Sequence, residues 1–193
     1  PAAIVLREQR RMLAERRGKL LQQHSVRTGE LEAHGAVVDL QHVAHAGGAA
    51  RGVLQPLLLE QPAQLMIANR TAGKALELSL RFSDLGRVSG CGFAELAGRQ
   101  FDLIINATAA GLEDAVPPLP EGVLATGGWC YDLMYGREPT AFARWGREQG
   151  AARSLDGLGM LVEQAAEAFH LWRGVWPETG PVIAALRDLS DAK

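Results

Sequence analysis

The pattern of apolar positions changes character near Ala46. Upstream, Ile4–Gln23 carries strong helix formers with apolar residues at Val5, Met12, Leu13, Leu20 and Leu21, and this rough helical spacing predicts a helix. Residues 25–36 are polar with two glycines and read as a loop. Val37–Ala44 (VVDLQHVA) reads as a strand, interrupted by Asp39, Gln41 and His42, where a central parallel strand would be an unbroken apolar run. Downstream the periods are cleaner. Helix is expected over Ala49–Leu59 (with Pro56 as a local cost), Ala72–Phe82, Thr140–Gln149, Asp156–Trp172, and from Pro177 to about Leu189. Strands are expected at Leu65–Ala68, Val88–Phe93, Phe101–Asn106 and Trp129–Asp132, with a helical turn at Ala94–Ala97. Arg153-Ser154 reads as the start of a connection. Strands alternating with helices imply a parallel sheet covered on both faces.

Residues 46–71, AGGAARGVLQPLLLEQPAQLMIANRT, hold the most informative stretch: a glycine-rich turn, a helix, a strand, then Asn69-Arg70-Thr71. This is the form of a nucleotide-binding βαβ unit. Glycines admit a pyrophosphate close to the backbone, and the helix N-terminus offers it free N–H groups. The fold class expected is therefore α/β, a Rossmann-like doubly wound parallel sheet with an atypical helical N-terminal segment. Residues 1–36 would form that basic segment, and residues 37–193 the nucleotide-binding domain with its C-terminal helices. A chain that binds NAD usually has an acidic residue at the end of the second strand. Asn69 and Arg70 stand there instead, and a guanidinium pairs with a 2′-phosphate that a carboxylate would repel, so NADP is the expected cofactor. His45 occupies the place of the first glycine. Its side chain and its resistance to positive φ should weaken nucleotide affinity, an effect that a protonated imidazole would partly offset.

Composition narrows the partners. The chain has 193 residues, 47% hydrophobic and 22% charged, with a net charge of −2. That balance gives no reason to expect nucleic acid or an anionic membrane. No apolar run approaches the roughly 20 residues that span a bilayer, and PAAIVLREQRR becomes charged too soon for a secretory signal. Cys91 and Cys130 fit neither a disulfide framework nor a zinc site, so no metal is expected and a reducing cytoplasm is the expected location. Residues 1–34 are rich in arginine, read here as a solvated helix face.

Five ordered blocks, AGGAARGVL (46–54), IANRT (67–71), FDLIINATAAGL (101–112), CYDLMYG (130–136) and LDGLGMLVEQAAEAF (155–169), closely resemble the shikimate dehydrogenase family. The resemblance covers about Ala46 to Arg187, the C-terminal domain of such enzymes. It implies two α/β domains with a cleft, NADP on the C-terminal one, and hydride exchange that interconverts 3-dehydroshikimate and shikimate in aromatic amino-acid biosynthesis. The family's catalytic lysine and aspartate belong to its N-terminal domain. Neither its serine-rich substrate motif, its lysine block nor its N-T-D-G segment is recognisable here. Lys19 and Asp39 match by residue type alone, and no catalytic residue is assigned. The change at His45 is what a frame shift or fusion would leave, and relatives carrying the same first 45 residues would refute that.

By resemblance, Ala46, Gly47, Gly48 and Ala49 form the pyrophosphate loop. Asn69, Arg70, Thr71 and Lys74 contact the adenosine 2′-phosphate, with Thr71 also expected to cap the next helix. Thr108 meets the nicotinamide ribose, Leu133 offers a backbone group to the nicotinamide, and Gly157 lies beside it. Tyr135 and Gln164 reach substrate. Asp156 is expected to be an N-cap, and Cys91, Cys130 and His170 to be packing residues. The expectation is an NADP-dependent oxidoreductase of low or no activity alone, acting on a small molecule of the shikimate class. It would pair as a homo-oligomer or with a complementing chain. A non-catalytic NADP-binding module and a quinate/shikimate dehydrogenase are the alternatives.

Overall fold

The computed structural model describes residues 2–7, 37–39, 47–107 and 115–191. Its strands are β1 (Ala2–Arg7), β2 (Val37–Asp39), β3 (Gln64–Asn69), β4 (Val88–Cys91), β5 (Phe101–Asn106), β6 (Leu124–Asp132) and β7 (Arg153–Leu155). Its helices are α1 (Gly47–Leu59), α2 (Ala72–Arg81), α3 (Ala141–Glu148), α4 (Leu158–Arg173) and α5 (Thr179–Asp191), with a 3-10 turn at Phe93–Leu96.

Strands β2 to β7 are parallel and lie in the order β4-β3-β2-β5-β6-β7. Chain direction along the sheet reverses at β2, which pairs with both β3 and β5. Such a reversal opens a crevice at the carboxyl ends of the strands, where ligands of doubly wound sheets bind. Registers bring those ends level: Asp39 pairs with Ala68 and Asn106, and Asn106 with Asp132.

The alternation of each strand builds two cores. Leu65 and Ile67 of β3 and Ile105 of β5 face α1 (Ala50, Leu54, Leu58) and α2 (Ala75, Leu78). Met66 and Ala68, with Ile104 and Cys130, face the other layer, where Phe93, Leu96, Val123 and Phe142 pack. A parallel sheet covered on both faces must read as near-continuous apolar runs, which LMIA and FDLII do. Two glycines fix helix-to-strand distance. A Cβ on Gly90 would stand 2.2 Å from the Ala75 carbonyl, so α2 lies directly on β4. A Cβ on Gly146 of α3 would stand 2.7 Å from that of Cys130.

Several expectations need correction. Ala2–Arg7 is a strand where a helix was expected from Ile4 onward. It runs antiparallel to β3, with Ala2 opposite Asn69 and Arg7 opposite Gln64. Apolar Ala-Ala-Ile-Val-Leu suits a strand, since β-branched Ile4 and Val5 lose side-chain freedom in a helix. The remainder of that expected helix, residues 8–23, lies outside the described residues. Arg153–Leu155 is a strand rather than a connection, paired with β6 through Cys130–Ser154. Strand β6 begins at Leu124, five residues before the expected start. Gly127 (φ +80°) bulges it where the sequence reads as a turn, and its register on β5 slips there. The last helix starts at Thr179, two residues beyond Pro177. Pro181 falls in its first turn, where a missing N–H costs no helical bond.

Candidate functional site

The carboxyl ends of the strands carry two contrasting groups of residues. At the end of β3 the carboxamide of buried Asn69 accepts a hydrogen bond from the Thr71 N–H at 2.8 Å, which folds the turn into α2. Asn69 thus shapes the turn. Thr71 stands at the N-cap position with extended backbone, yet its side chain makes no cap bond; only its carbonyl is used, by Lys74 N–H at 2.9 Å. The side-chain cap expected of Thr71 is therefore absent, because Asn69 already orders the turn. Arg70, Thr71 and Lys74 are all exposed, and neither cation has an ion pair among the described residues. Two exposed cationic residues and a hydroxyl that makes no cap bond thus flank or open the first turn of α2, which has no acidic residue in it. This set suits a dianionic group.

One crossover earlier, α1 opens on Gly47-Gly48-Ala49-Ala50, again with no acid in its first turn. Its N-terminus follows β2 at the switch point, the place the glycine turn was expected to take. Ala46 and His45, and Thr108 beyond β5, lie outside the described residues.

At the ends of β5 and β6 the geometry is buried and built from backbone. Leu133 N–H donates to the Asn106 carbonyl at 2.8 Å, and Gly157 N–H donates to the Met134 carbonyl at 2.9 Å. A Cβ on Gly157 would come within 2.3 Å of the Leu133 carbonyl oxygen. Leu133 and Gly157, assigned to one end of the cofactor from sequence, are thus in direct contact. Tyr135 is 49% exposed, and Gln164 is exposed on α4.

Three participants escaped the sequence reading. Asp132, with no exposed surface, accepts hydrogen bonds from Asn106 Nδ2 (3.1 Å), Met134 N–H (3.0 Å) and Thr140 Oγ1 (2.6 Å). Burial pushes its carboxyl above the usual carboxylate range, and the three bonds pull it partly back. Thr140 also caps α3, accepting from Ala143 N–H at 3.1 Å; a Thr ahead of an amphipathic helix was a legible cap signal. Arg187 of α5 pairs with both oxygens of buried Asp156, by Nη1 to Oδ2 at 2.7 Å and by Nη2 to Oδ1. Asp156 Oδ1 also accepts from Leu158 N–H at 3.2 Å. It therefore orders the start of α4, but the N-cap position expected of it is held by Gly157. Cys91 and Cys130 are buried and free, with thiols pushed up by burial to about 11 and about 12, in keeping with a packing role.

Among the described residues no group of three or more His, Cys, Asp or Glu could hold a metal, and no helix is long and apolar enough to cross a membrane.

Strand order, switch point and the two strand-end groups define the class as a Rossmann-like doubly wound α/β domain. The model of the shikimate 5′-dehydrogenase C-terminal domain matches residues 157–187. The shikimate dehydrogenase (NADP(+)) of Methylococcus capsulatus is 65% identical over 141 residues, 73% of this chain and 50% of its own length. That of Nitrosococcus oceani is 52% identical over 188 residues, 94% of this chain and 67% of its own. Shikimate 5-dehydrogenase of Thermus thermophilus, solved with NADP(H) and shikimate, matches with a TM-score of 0.57 at 32% identity, covering 78% of this chain and 54% of that one. The chain belongs to the shikimate dehydrogenase family. It spans half the length of the Methylococcus relative and about two thirds of the Nitrosococcus one. An alignment covering 94% of the chain cannot be confined to residues 46–193, about three quarters of it. The likeness to the Nitrosococcus protein therefore continues upstream of His45, which counts against a wholly foreign opening segment.

Proposed function

We propose that this chain is the nucleotide-binding half of an NADP-dependent shikimate dehydrogenase. The observation that carries the reading is exposed Arg70 and Lys74, without an ion pair among the described residues, at the start of α2 and at the crevice of a doubly wound sheet. Arg70, Thr71 and Lys74 take the 2′-phosphate. The glycines opening α1 let the pyrophosphate reach backbone N–H groups, with Thr108 at the ribose. Leu133 and Gly157 form the edge that receives the nicotinamide, and Tyr135 and Gln164 extend toward a substrate of the shikimate class. NADP(H), when bound, supplies or accepts the hydride. The chain's own task is to orient it.

Proton transfer has no assigned residue here. A missing acid–base group costs roughly 10²–10⁴ in rate, so this chain alone is expected to turn over shikimate negligibly, in a reducing cytoplasm that suits its two free thiols. Calorimetric titration with NADP and NAD, beside a His45→Gly variant, tests the cofactor reading. Micromolar NADP binding with much weaker NAD binding supports it. Recovery in the variant alone assigns the weakness to His45, and no binding by either protein overturns the reading. Assays with shikimate and quinate separate the two dehydrogenase activities.

A second reading, a partner-dependent NADP-binding subunit, is favoured by one feature. Leu171, Trp172, Val175 and Trp176 stay exposed around the end of α4. Activity appearing only after addition of a relative's separately produced N-terminal domain would support it.

A further inference from the structure

Asp132 uses its two oxygens in different directions. Oδ1 accepts from Asn106 at the end of β5 and from the Met134 N–H just beyond β6, while Oδ2 accepts from Thr140 at the start of α3. One carboxylate therefore clasps both feet of the loop from Met134 to Thr140. Arg144 Nη1 adds a further tie at the second foot, donating to the Pro139 carbonyl at 2.6 Å. Residues 135–138 between the feet are exposed. The first foot leads directly to the Gly157 contact, because the Met134 carbonyl accepts from Gly157 N–H and the Leu133 carbonyl abuts the Gly157 Cα.

Stability alone is a weak reason for such a group. An apolar residue of similar size would fill the space without the cost of desolvating a charge. A carboxylate has what no apolar residue has, acceptor sites for three donors from separate segments at once.

The geometry points to Asp132, with Thr140 as its second anchor, as a positioning residue for the nicotinamide edge of the site. It holds the Leu133 carbonyl and the Tyr135 loop in place without touching cofactor or substrate. This rests on the NADP reading above and deepens it. The lock lies at the ends of β5 and β6, and the residues proposed for the 2′-phosphate lie at the end of β3. Loosening the lock should therefore affect only the nicotinamide half of the ligand.

Two ligands separate the effects: NADP, and adenosine 2′,5′-bisphosphate, which carries the adenine half alone. In the 193-residue chain, Thr140→Val should weaken NADP about tenfold, the value of one lost hydrogen bond to a charged group, and leave the bisphosphate within about twofold. Thr140→Ser keeps the hydroxyl and should restore NADP affinity. Asp132→Asn preserves shape and the Oδ1 bonds, and should show the same selective loss at about threefold; it carries the test if Thr140→Val does not fold. Equal losses for both ligands, or no loss for either, would overturn the positioning role. If neither the parent chain nor its His45→Gly variant binds either ligand, the NADP reading itself fails, and the positioning role fails with it; if only the variant binds, the same substitutions are compared in that variant.

Discussion

The end of β3 and the ends of β5 and β6 lie on one rim of one sheet, yet they are built by opposite means. At β3 the chemistry sits on exposed side chains, Arg70, Thr71 and Lys74, that are spent on nothing else in the described structure. At β5 and β6 it sits on buried backbone, with Leu133 against Gly157 and Asp132 tying three segments together. The difference matches what each end is proposed to receive. A dianion is bound by charge that can adjust its reach, so long flexible cations serve. A planar ring presented for hydride transfer needs a fixed edge, because small misplacements of reacting atoms cost rate heavily. The first end should thus tolerate substitution with little structural cost, and the second should not.

The largest effect should come from Gly157→Ala. The new methyl would meet the Leu133 carbonyl oxygen at 2.3 Å, a backbone atom rather than the end of a flexible side chain. A loss of about 3 kcal/mol in urea unfolding is expected, with NADP affinity falling alongside. A fully stable variant would show that this edge is not rigid.

Alkaline pH should come next, and it too should act on the buried end. Burial raises the Cys130 thiol from 9.0 to about 12 and the Tyr131 hydroxyl, two residues from Leu133, from 10.0 to about 12. Both groups stay protonated in the folded chain where the unfolded chain has already released its protons. Their contribution is full below about pH 9 and is lost as pH rises toward 12, on the order of a few kcal/mol. Urea midpoints between pH 8 and 11 measure this, and Cys130→Ala should flatten the slope. A thiol reagent at pH 8 should modify Cys130 only in denaturant.

Arg70→Gln probes the other end. NADP affinity should fall about ten- to hundredfold, with NAD nearly unaffected and the salt dependence of NADP binding reduced. Unfolding free energy should change by less than about 0.5 kcal/mol. A large stability loss would contradict the division between the two ends.

Thr71→Ala should have the smallest effect on folding. An N-cap of ordinary strength is worth about 1 kcal/mol, but this hydroxyl makes no cap bond, so the change should stay under about 0.5 kcal/mol. A full cap loss in urea unfolding would show that Asn69 does not order the turn.

The exposed end was legible in the sequence and the buried end only in part. Asn69-Arg70-Thr71 follows a short apolar strand, and the chemistry of a guanidinium is the same wherever it sits. Leu133 and Gly157 were reached through the family blocks, but their contact was not, since no local pattern says which carbonyl a glycine approaches. Asp132 reads in sequence as a polar residue ending a strand. Its role depends on Asn106, 26 residues earlier, and Thr140, eight later, which meet only once β5 and β6 are paired. Asp156 and Arg187 are 31 residues apart and meet only once the last helix packs back along α4. Strand β7 was missed because three residues, one of them exposed, carry too little alternation to register.

The mount beneath Arg70 and Lys74 has a consequence for how the protein can change. Gly90 seats α2 against β4 with no room for even a methyl group, and that joint uses none of the residues at the helix tip. Arg70, Thr71 and Lys74 form a short exchangeable cassette on a fixed bracket. On the proposed cofactor reading, lineages or laboratory libraries could rewrite cofactor preference there, for instance by placing an acid at position 70, without renegotiating the fold.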